Sequence, residues 1–350
     1  LIGSLRLDGN VGGPLADRSR LLMSSADGDV STDIVYSPTA SASIAVLGDA
    51  YLSVGGQIRR QAIPPVGGLS YTQGGTSLVE IGEEINAAEP NTFVTTRGVF
   101  DQAGGAGSSF DMTGGELRIL RAVPNASVAE LYLQSSTFSM TGGTVVLGDP
   151  GGMPFSPDRI SVNAAVGNEL FNLAVNSGLA FLEAEVAINP LVINGDLSIL
   201  GGTFSTLFAD NLDISIRGNF LNEGSYTTTT NNTIFDGTAN QTVTLNNSTN
   251  FANLTIDNPG NTVTLAGTET NTVINRDLFV LNGTLDLQDK IMELRRDATN
   301  DAIVTNTTGR VLFNNAASQV QTIFGNGLGQ FGNLELDNPN SVLQDNDIRV

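Results

Sequence analysis

Short runs in which apolar and polar residues alternate recur along the chain, and this pattern predicts β-strands with one buried face. The clearest pair lies in FANLTIDNPGNTVTLAG at 251–267, where residues 254–256 and 263–265 alternate on either side of Asp-Asn-Pro-Gly-Asn. Because Pro, Gly and Asn favour turns, we expect this connector to join two short strands. Since no stretch combines helical length with a 3.6-residue period, the pattern predicts an all-β chain with little or no helix.

The unit at 251–267 returns twice, as FGNLELDNPNSVL at 331–343 and as LFNLAVNSGLAFL at 170–182. The asparagine before the leucine stands at Asn172, Asn253 and Asn333, so the spacings are 253 − 172 = 81 and 333 − 253 = 80. VINGDLSILGGTF begins at 192 and VINRDLFVLNGTLDL at 273, which repeats the spacing, since 273 − 192 = 81. A period held this closely indicates a repeat architecture.

A second signature, two apolar runs joined by Gly-Gly, precedes the long repeat. It occurs as YTQGGTSLVEIG at 71–82, FDMTGGELRIL at 110–120 and FSMTGGTVVLG at 138–148, and the spacing of the last two is 138 − 110 = 28. Glycine supplies the positive φ angles of tight corners. These patterns predict irregular coils over 1–70, coils with Gly-Gly corners over 71–165, and 80-residue repeats over 166–350 that continue beyond residue 350.

The fold that these periods predict is a right-handed parallel β-helix. Eighty residues make three or four coils at ~20–27 residues each, which gives roughly 14 coils in the chain. A β-propeller is the main alternative, but its blades take ~40–50 residues, so 80 is not a natural blade length.

Stacked coils assign structural roles to the repeat positions. Asparagines at corners stack in ladders, with side-chain amides bonding to the coils above and below. Leucine and isoleucine at alternating positions fill the interior. The residues with these roles are Asn172, Asn253, Asn333, Leu254, Ile256, Leu334 and Leu336.

Composition and charge narrow the function classes. The chain has 36 Asp and Glu residues against 16 Lys and Arg residues, which gives a formal net charge of −20. Because binding to nucleic-acid phosphates requires positively charged side chains, no nucleic-acid partner is expected. It has no His and no Cys, which excludes Ser-His-Asp triads, zinc sites built on these residues, and disulfides. No apolar run reaches the ~18 residues of a transmembrane span.

Carboxylates are the remaining candidates for chemistry. Asp27, Asp29 and Asp33 in ADGDVSTD at 26–33 could hold Ca²⁺ together with backbone carbonyls, since Ca²⁺ takes six to eight oxygen ligands. The favoured interpretation is nevertheless a set of exposed acidic turns, so no cofactor other than Ca²⁺ is considered.

A carbohydrate-active enzyme or a glycan-binding module is the alternative to a structural protein. Parallel β-helices include polysaccharide lyases and glycosidases, and glycosidases use two carboxylates. The candidates are Glu80, Glu83, Glu84 and Glu89, and a substrate groove would lie in the irregular segments 83–110 and 149–165. Exposed acidic turns again explain these residues, and no catalytic residue is assigned.

The FANLTIDNPGNTVTLAG, VINRDLFVLNGTLDL and TGGT elements resemble the β-helical repeats of large Bacteroidota surface proteins, which the type IX system commonly secretes. Autotransporter and filamentous-haemagglutinin passengers are similar solenoids. The resemblance implies a non-catalytic structural or adhesive rod of a bacterial surface or filament protein. It also implies an extracellular location, and its partners would be other surface-protein segments, further copies of itself, or glycans.

Overall fold

The computed structural model describes residues 3–8, 20–23, 33–36, 41–61, 68–82, 94–122, 128–150, 159–177, 183–206, 211–314, 319–345 and 349–350. The chain has two compact units, Leu1–Asn189 (unit 1) and Pro190–Val350 (unit 2). The described residues form strands and connections without a helix, and none of them belongs to a helix that could cross a membrane. The predicted boundaries at 70 and 165 stay predictions.

The strands of unit 1 are short, apart from two that continue through a Gly-Gly corner. They are β1 (Gly3–Asp8), β2 (Arg20–Met23), β3 (Ile34–Tyr36), β4 (Ala42–Leu47), β5 (Tyr51–Val54), β6 (Ile58–Arg60), β7 (Leu69–Gln73), β8 (Leu78–Ile81), β9 (Phe100–Gln102), β10 (Ser109–Ile119), β11 (Leu131–Leu133), β12 (Thr137–Leu147), β13 (Arg159–Ala164), β14 (Asn172–Val175) and β15 (Glu183–Val186).

Unit 2 is built in the same way. Its strands are β16 (Leu191–Ile193), β17 (Leu197–Ile199), β18 (Thr203–Ser205), β19 (Ile214–Ile216), β20 (Phe220–Asn222), β21 (Ser225–Thr227), β22 (Asn232–Phe235), β23 (Gln241–Leu245), β24 (Asn250–Phe251), β25 (Asn253–Ala266), β26 (Asn271–Ile274), β27 (Leu278–Asp286), β28 (Ile291–Leu294), β29 (Ala298–Asn300), β30 (Ile303–Thr305), β31 (Arg310–Phe313), β32 (Gln321–Phe324), β33 (Gln330–Phe331), β34 (Leu334–Leu336) and β35 (Val342–Gln344).

Successive turns pair in parallel. In unit 1, β4 lies between β1 and β7, and β10 pairs with β7, β8 and β12. In unit 2, β25 pairs with β22 and β23 on one side and with β27 on the other. Strands that each stack on the strand one turn earlier form a β-solenoid, so the predicted all-β parallel β-helix is confirmed.

The number of turns differs from the prediction. About 11 turns can be counted along the described residues, against the roughly 14 expected. Turns of unit 1 can be longer than the sequence periods predicted, because Ser70 pairs with Ser109, a sequence step of 109 − 70 = 39. In unit 2, Leu254 pairs with Leu278, and the sequence step there is only 278 − 254 = 24.

Alternation along each strand produces the core. In unit 2, Ile216, Phe235, Ile256 and Val280 pair in register from turn to turn, and each is at most 1% exposed. Burial of a side chain of this size contributes about 1.5–3 kcal/mol. The core is therefore a column of apolar side chains along the stacking direction, in which each residue packs on its equivalent one turn away.

An aromatic column fills the same role in unit 1. The rings of Tyr71 and Phe110 stack with centroids 5.3 Å apart, and those of Phe110 and Phe138 with centroids 4.8 Å apart. The Tyr71 hydroxyl donates to Gln73 Oε1 at 2.6 Å, which satisfies its polar end inside the core. Burial raises the pKa of Tyr71 above its usual range, so the hydroxyl stays protonated.

The Gly-Gly corners have the predicted geometry. The second glycine of each pair has positive φ, at 71° for Gly75, 81° for Gly115 and 80° for Gly143. A Cβ at Gly115 would lie 2.4 Å from the carbonyl oxygen of Ser77. These corners therefore need glycine for both their backbone angle and their close approach to the neighbouring turn.

Each turn of unit 2 has three strand positions, illustrated by β22, β23 and β24, which we call faces 1, 2 and 3. Strand β25 passes through faces 1 and 2 without interruption, and its register breaks between Ile256 and Thr262. The predicted turn at Asp-Asn-Pro-Gly-Asn is thus an irregular stretch within one long strand, with Gly260 at a φ of 76°.

The 80-residue repeat is not a whole number of turns. Leu254 lies on face 1, whereas Leu334 lies on face 3, in the sheet of β24, β26, β28, β31 and β34. Leu254 and Ile256 are at most 1% exposed, but Leu334 is half-buried and Leu336 is 56% exposed. The reason is that β34 pairs only with β31 among the described strands, so its other side has no stacked neighbour.

Candidate functional site

The structure places one of the three predicted calcium ligands. Asp27 and Asp29 lie outside the described residues. Asp33 Oδ1 accepts a hydrogen bond from the Gln57 backbone N at 2.7 Å, and its Oδ2 lies 2.6 Å from Arg59 Nε. Among the described residues, no group of three or more Asp, Glu, His or Cys side chains could hold a metal ion. Asp33 therefore anchors the neighbouring turn, and calcium binding stays a prediction.

The acidic cluster beginning at Glu80 is placed in part. Glu80 accepts a hydrogen bond from the Tyr51 hydroxyl at 2.5 Å and forms an ion pair with Arg118 at 2.9 Å. Arg118 also contacts Glu116 at 2.6 Å. Glu83, Glu84 and Glu89 lie outside the described residues. The described carboxylate thus belongs to a network of ion pairs across turns.

The predicted asparagine positions lie at the starts of strands or beside them. Asn253 Nδ2 donates to the carbonyl oxygens of Thr230 and Asn231 in the preceding turn, at 2.8 and 3.2 Å. Its Oδ1 accepts from the backbone N of Asp277 in the following turn, at 3.2 Å. Asn333 Nδ2 donates to Gly309 O at 2.9 Å, and Asn172 begins β14.

Asn253 is one step of a longer ladder along face 1. In four turns an Asp or Asn side-chain oxygen accepts a backbone N–H of the next turn, at distances of 2.6–3.2 Å. These hydrogen bonds hold each turn at a fixed distance from the preceding turn along the stacking direction. We call this set the corner ladder, and its acceptors are Asp213, Asn253, Asp277 and Asp297.

An open cleft of about 350 Å³ lies beside the corner ladder on the outer surface of unit 2. We call it the unit 2 cleft. Two arginines, one carboxylate, two amides, one hydroxyl and one aromatic ring contribute to its walls. The lining residues are Thr230, Asn232, Asn253, Arg276, Asp277, Phe279 and Arg296.

The two arginines occupy equivalent positions in adjacent turns. Each stands two residues before the paired residues Leu278 and Ala298. Arg296 Nε lies 3.6 Å from Asp277 Oδ1, while the Arg276 guanidinium forms no hydrogen bond or ion pair with any described residue. The lining has a formal charge of 2 − 1 = +1, whereas the whole chain has a net charge of −20.

An aromatic ring forms one wall of the cleft. Phe279 points outward, because its neighbours Leu278 and Val280 point into the core and are fully buried. Along the same outward row, Phe279 pairs with Thr299, and Thr299 pairs with Phe324, which is 39% exposed. Two strand spacings separate the Phe residues by ~10 Å. Face 1 of unit 2 therefore carries two outward rings along the stacking direction.

The sequence contained a signal for these residues that the search for motifs missed. In the 81-residue alignment of VINGDLSIL with VINRDLFVL, Gly195 corresponds to Arg276 and Ser198 to Phe279. The aspartate between them is kept, as Asp196 and Asp277, and both accept a backbone N–H from a later turn. Arg276 and Phe279 are therefore cleft residues that differ from the earlier copy, whereas Asp277, which is shared with it, both lines the cleft and belongs to the corner ladder. The residues of this cleft belong to unit 2, whereas the segments 83–110 and 149–165, where a groove was expected, belong to unit 1 and lie partly outside the described residues.

A second charged cluster, in unit 1, is internal. Asp101 Oδ2 lies 2.9 Å from Arg60 Nε and 3.7 Å from Arg97 Nε, and the carboxylate is fully buried. The Tyr36 hydroxyl donates to the Asp101 backbone carbonyl at 2.8 Å. Burial raises the pKa of Asp101 to about 6, against the opposing effect of the two arginines. Because it is enclosed, this cluster serves the packing of unit 1.

Comparisons of the chain with protein-family models, with curated proteins and with solved structures give no match. The functional conclusion therefore rests on the chemistry of the unit 2 cleft. Its guanidinium groups donate to anions and hydroxyls, its amides and hydroxyl offer polar contacts, and Phe279 presents an apolar ring face.

Proposed function

We propose that the chain is a non-catalytic structural and adhesive segment of an extracellular bacterial surface or filament protein, and that its unit 2 cleft binds glycans. The observation that carries this proposal is that one open cleft combines an outward aromatic ring with an arginine that has no partner among the described residues. The partners would be glycans of a surface, together with other surface-protein segments or copies of the same chain.

The composition of the cleft fits a sugar. A pyranose ring has hydroxyl groups around its edge and apolar C–H groups on its faces. The ring of Phe279 suits the apolar face, while Arg276 and Arg296 can donate to the hydroxyl oxygens. The amides of Asn232 and Asn253 already bond to neighbouring turns, so they form a rigid polar floor. An open cleft on stacked strands is also preorganised, which lowers the entropy cost of binding.

The same cleft lacks the parts of a glycosidase. Such enzymes place two carboxyl groups about 5–10 Å apart on either side of the scissile bond. The described lining of the unit 2 cleft has one carboxylate, Asp277, which accepts the Asp297 N–H at 3.2 Å and lies beside Arg296. This carboxylate has a structural role in the corner ladder. The chemistry of the cleft therefore favours binding over hydrolysis.

The extracellular assignment rests on the resemblance to Bacteroidota surface repeats, with type IX secretion as the implied route. The fold is compatible with it, because β-solenoids present long regular surfaces for contacts with other molecules. Autotransporter and filamentous-haemagglutinin passengers would imply the same location by another route. Immunogold labelling of intact producing cells tests the location directly.

A paired assay tests the function. The purified chain is applied to an array of neutral and acidic glycans, and the same polysaccharides are assayed for release of reducing ends. We expect binding without release, and loss of binding in Phe279→Ala. Release of reducing ends would make the chain an enzyme and would overturn the proposal. Absence of binding to every glycan would leave only the structural role.

A further inference from the structure

Resting on the proposed function, we infer that the unit 2 cleft is selective for acidic saccharides, with the carboxylate or sulfate of the sugar bound by Arg276 and Arg296. The two arginines occupy equivalent positions on adjacent turns, about 4.8 Å apart along the stacking direction. Like charges at such positions repel each other. An anion between them removes this repulsion and gains charge-assisted hydrogen bonds.

Asp277 does not already fill this role for both arginines. Its Oδ1 lies 3.6 Å from Arg296 Nε and also accepts the Asp297 N–H at 3.2 Å. The Arg276 side chain has no hydrogen-bond or ion-pair partner among the described residues. Four of the five other arginines of unit 2 form ion pairs with described residues, such as Arg295 with Glu293 at 3.2 Å and Arg310 with Glu335. Although the chain has 36 acidic residues, none of the described ones contacts the Arg276 guanidinium.

A saccharide fits this cleft better than another anion does. A polyphosphate has no apolar face to stack on Phe279, whereas a sugar ring has such a face beside its acidic substituent. Phe279 lies beside the arginines, so a ring can stack while its acidic substituent contacts the guanidinium groups. Phe324, ~10 Å further along the same row, would receive a later sugar of the same chain. The saccharide would then lie along the stacking direction.

Three hexasaccharide probes test the inference by calorimetry on the full chain at low ionic strength. They are a galacturonic acid hexamer, the same hexamer with its carboxylates methyl-esterified, and a carrageenan hexamer that carries sulfate and no carboxylate. We expect the uronate or the sulfate probe to bind, the ester to bind at least about tenfold more weakly, and the difference to shrink at high salt.

Arg276→Gln should weaken binding of the acidic probe by about 10- to 100-fold, the loss expected for one charge-assisted hydrogen bond. The matched control is Arg295→Gln, which removes the same charge one turn away outside the cleft and should change Kd by less than about twofold. Circular dichroism confirms that both variants fold.

The outcomes separate the inference from the proposed function. Equal affinity for the hexamer and its ester, or equal effects of Arg276→Gln and Arg295→Gln, would overturn the acidic selectivity. In that case, binding that still depends on Phe279 would leave glycan binding intact. Failure of the chain to bind any of the three probes would overturn the inference, and failure on the wider glycan array would overturn glycan binding as well.

Discussion

Replacement of Asn253 by alanine tests whether the corner ladder stabilises the stacking of turns. The side chain makes three hydrogen bonds: two from Nδ2 to the preceding turn, at 2.8 and 3.2 Å, and one from the Asp277 N–H to its Oδ1, at 3.2 Å. Each contributes about 0.5–1.5 kcal/mol net, and Asn253 is only half-buried, so we expect a loss near the lower end, about 2 kcal/mol.

The matched control is Asn261→Ala. Asn261 donates only to Pro259 O within its own connection, at an exposed site, so its loss should cost less than about 0.5 kcal/mol. Asn253→Asp should be intermediate, because it keeps the acceptor for Asp277 N but loses both donated bonds. Aspartate already occupies this position in the next turn, as Asp277.

Urea unfolding followed by circular dichroism measures the three variants, and amide hydrogen exchange of peptides containing Asp277 locates the effect. Because repeat proteins can unfold in parts, exchange is the more direct readout. A loss of about 1.4 kcal/mol corresponds to tenfold faster exchange through local opening, so Asn253→Ala should accelerate Asp277 exchange at least about tenfold. If Asn253→Ala and Asn261→Ala showed the same unfolding midpoint and the same exchange rates, the ladder would not stabilise the stack.

Three further predictions concern the backbone, the core and pH. In urea unfolding, Gly283→Ala should destabilise unit 2 more than Gly260→Ala does. Both glycines have a positive φ, so either substitution costs about 1–2 kcal/mol in backbone strain. Of the two, only Gly283 would also place its new Cβ against a carbonyl oxygen, that of Asn258, at 2.2 Å. Phe235→Ala should cost about 3–5 kcal/mol in the same assay because the ring is 1% exposed, whereas outward Phe279→Ala should cost less than about 1 kcal/mol. Burial raises the pKa of Asp101 to about 6 in the folded chain, whereas an unfolded Asp has a pKa of about 4. Between about pH 4 and pH 6, the carboxyl is therefore protonated in the folded chain and ionised in the unfolded chain. The free energy of unfolding should therefore rise by up to about 3 kcal/mol as the pH falls through this window. Urea midpoints measured from about pH 7 to about pH 4 should show this contribution in the parent chain and lack it in Asp101→Asn.

The fold class could be predicted from sequence because its determinants are local. Alternation specified which residues of each strand face inward, as for Leu254 and Ile256, and paired glycines marked corners such as Gly115. The burial of Leu336 could not be predicted in this way. It depends on whether another strand covers it, and the sequence copies alone do not show that the third copy lies on a different face.

The cleft was harder to predict than the fold for a related reason. Its residues come from successive turns, so Thr230 and Arg296 are far apart in sequence, with a separation of 296 − 230 = 66, and share no motif. Their proximity follows from the length of each turn, and small errors in that length accumulate over several turns. A motif search examines neighbours along the chain, whereas this site is made of neighbours along the stack.

The mismatch between the 80-residue repeat and the turn has an evolutionary consequence. In unit 2, duplication of one repeat copies its core residues but moves them to a different face, as Leu254 and Leu334 show. A duplicated surface residue would likewise lie on a different face of the solenoid from the original. Successive duplications would therefore place copies of one binding residue on different faces of the solenoid. Mutation of one copy would then change the binding chemistry of one face and leave the other faces unchanged. Arg276, where the earlier copy has Gly195, is one such substitution.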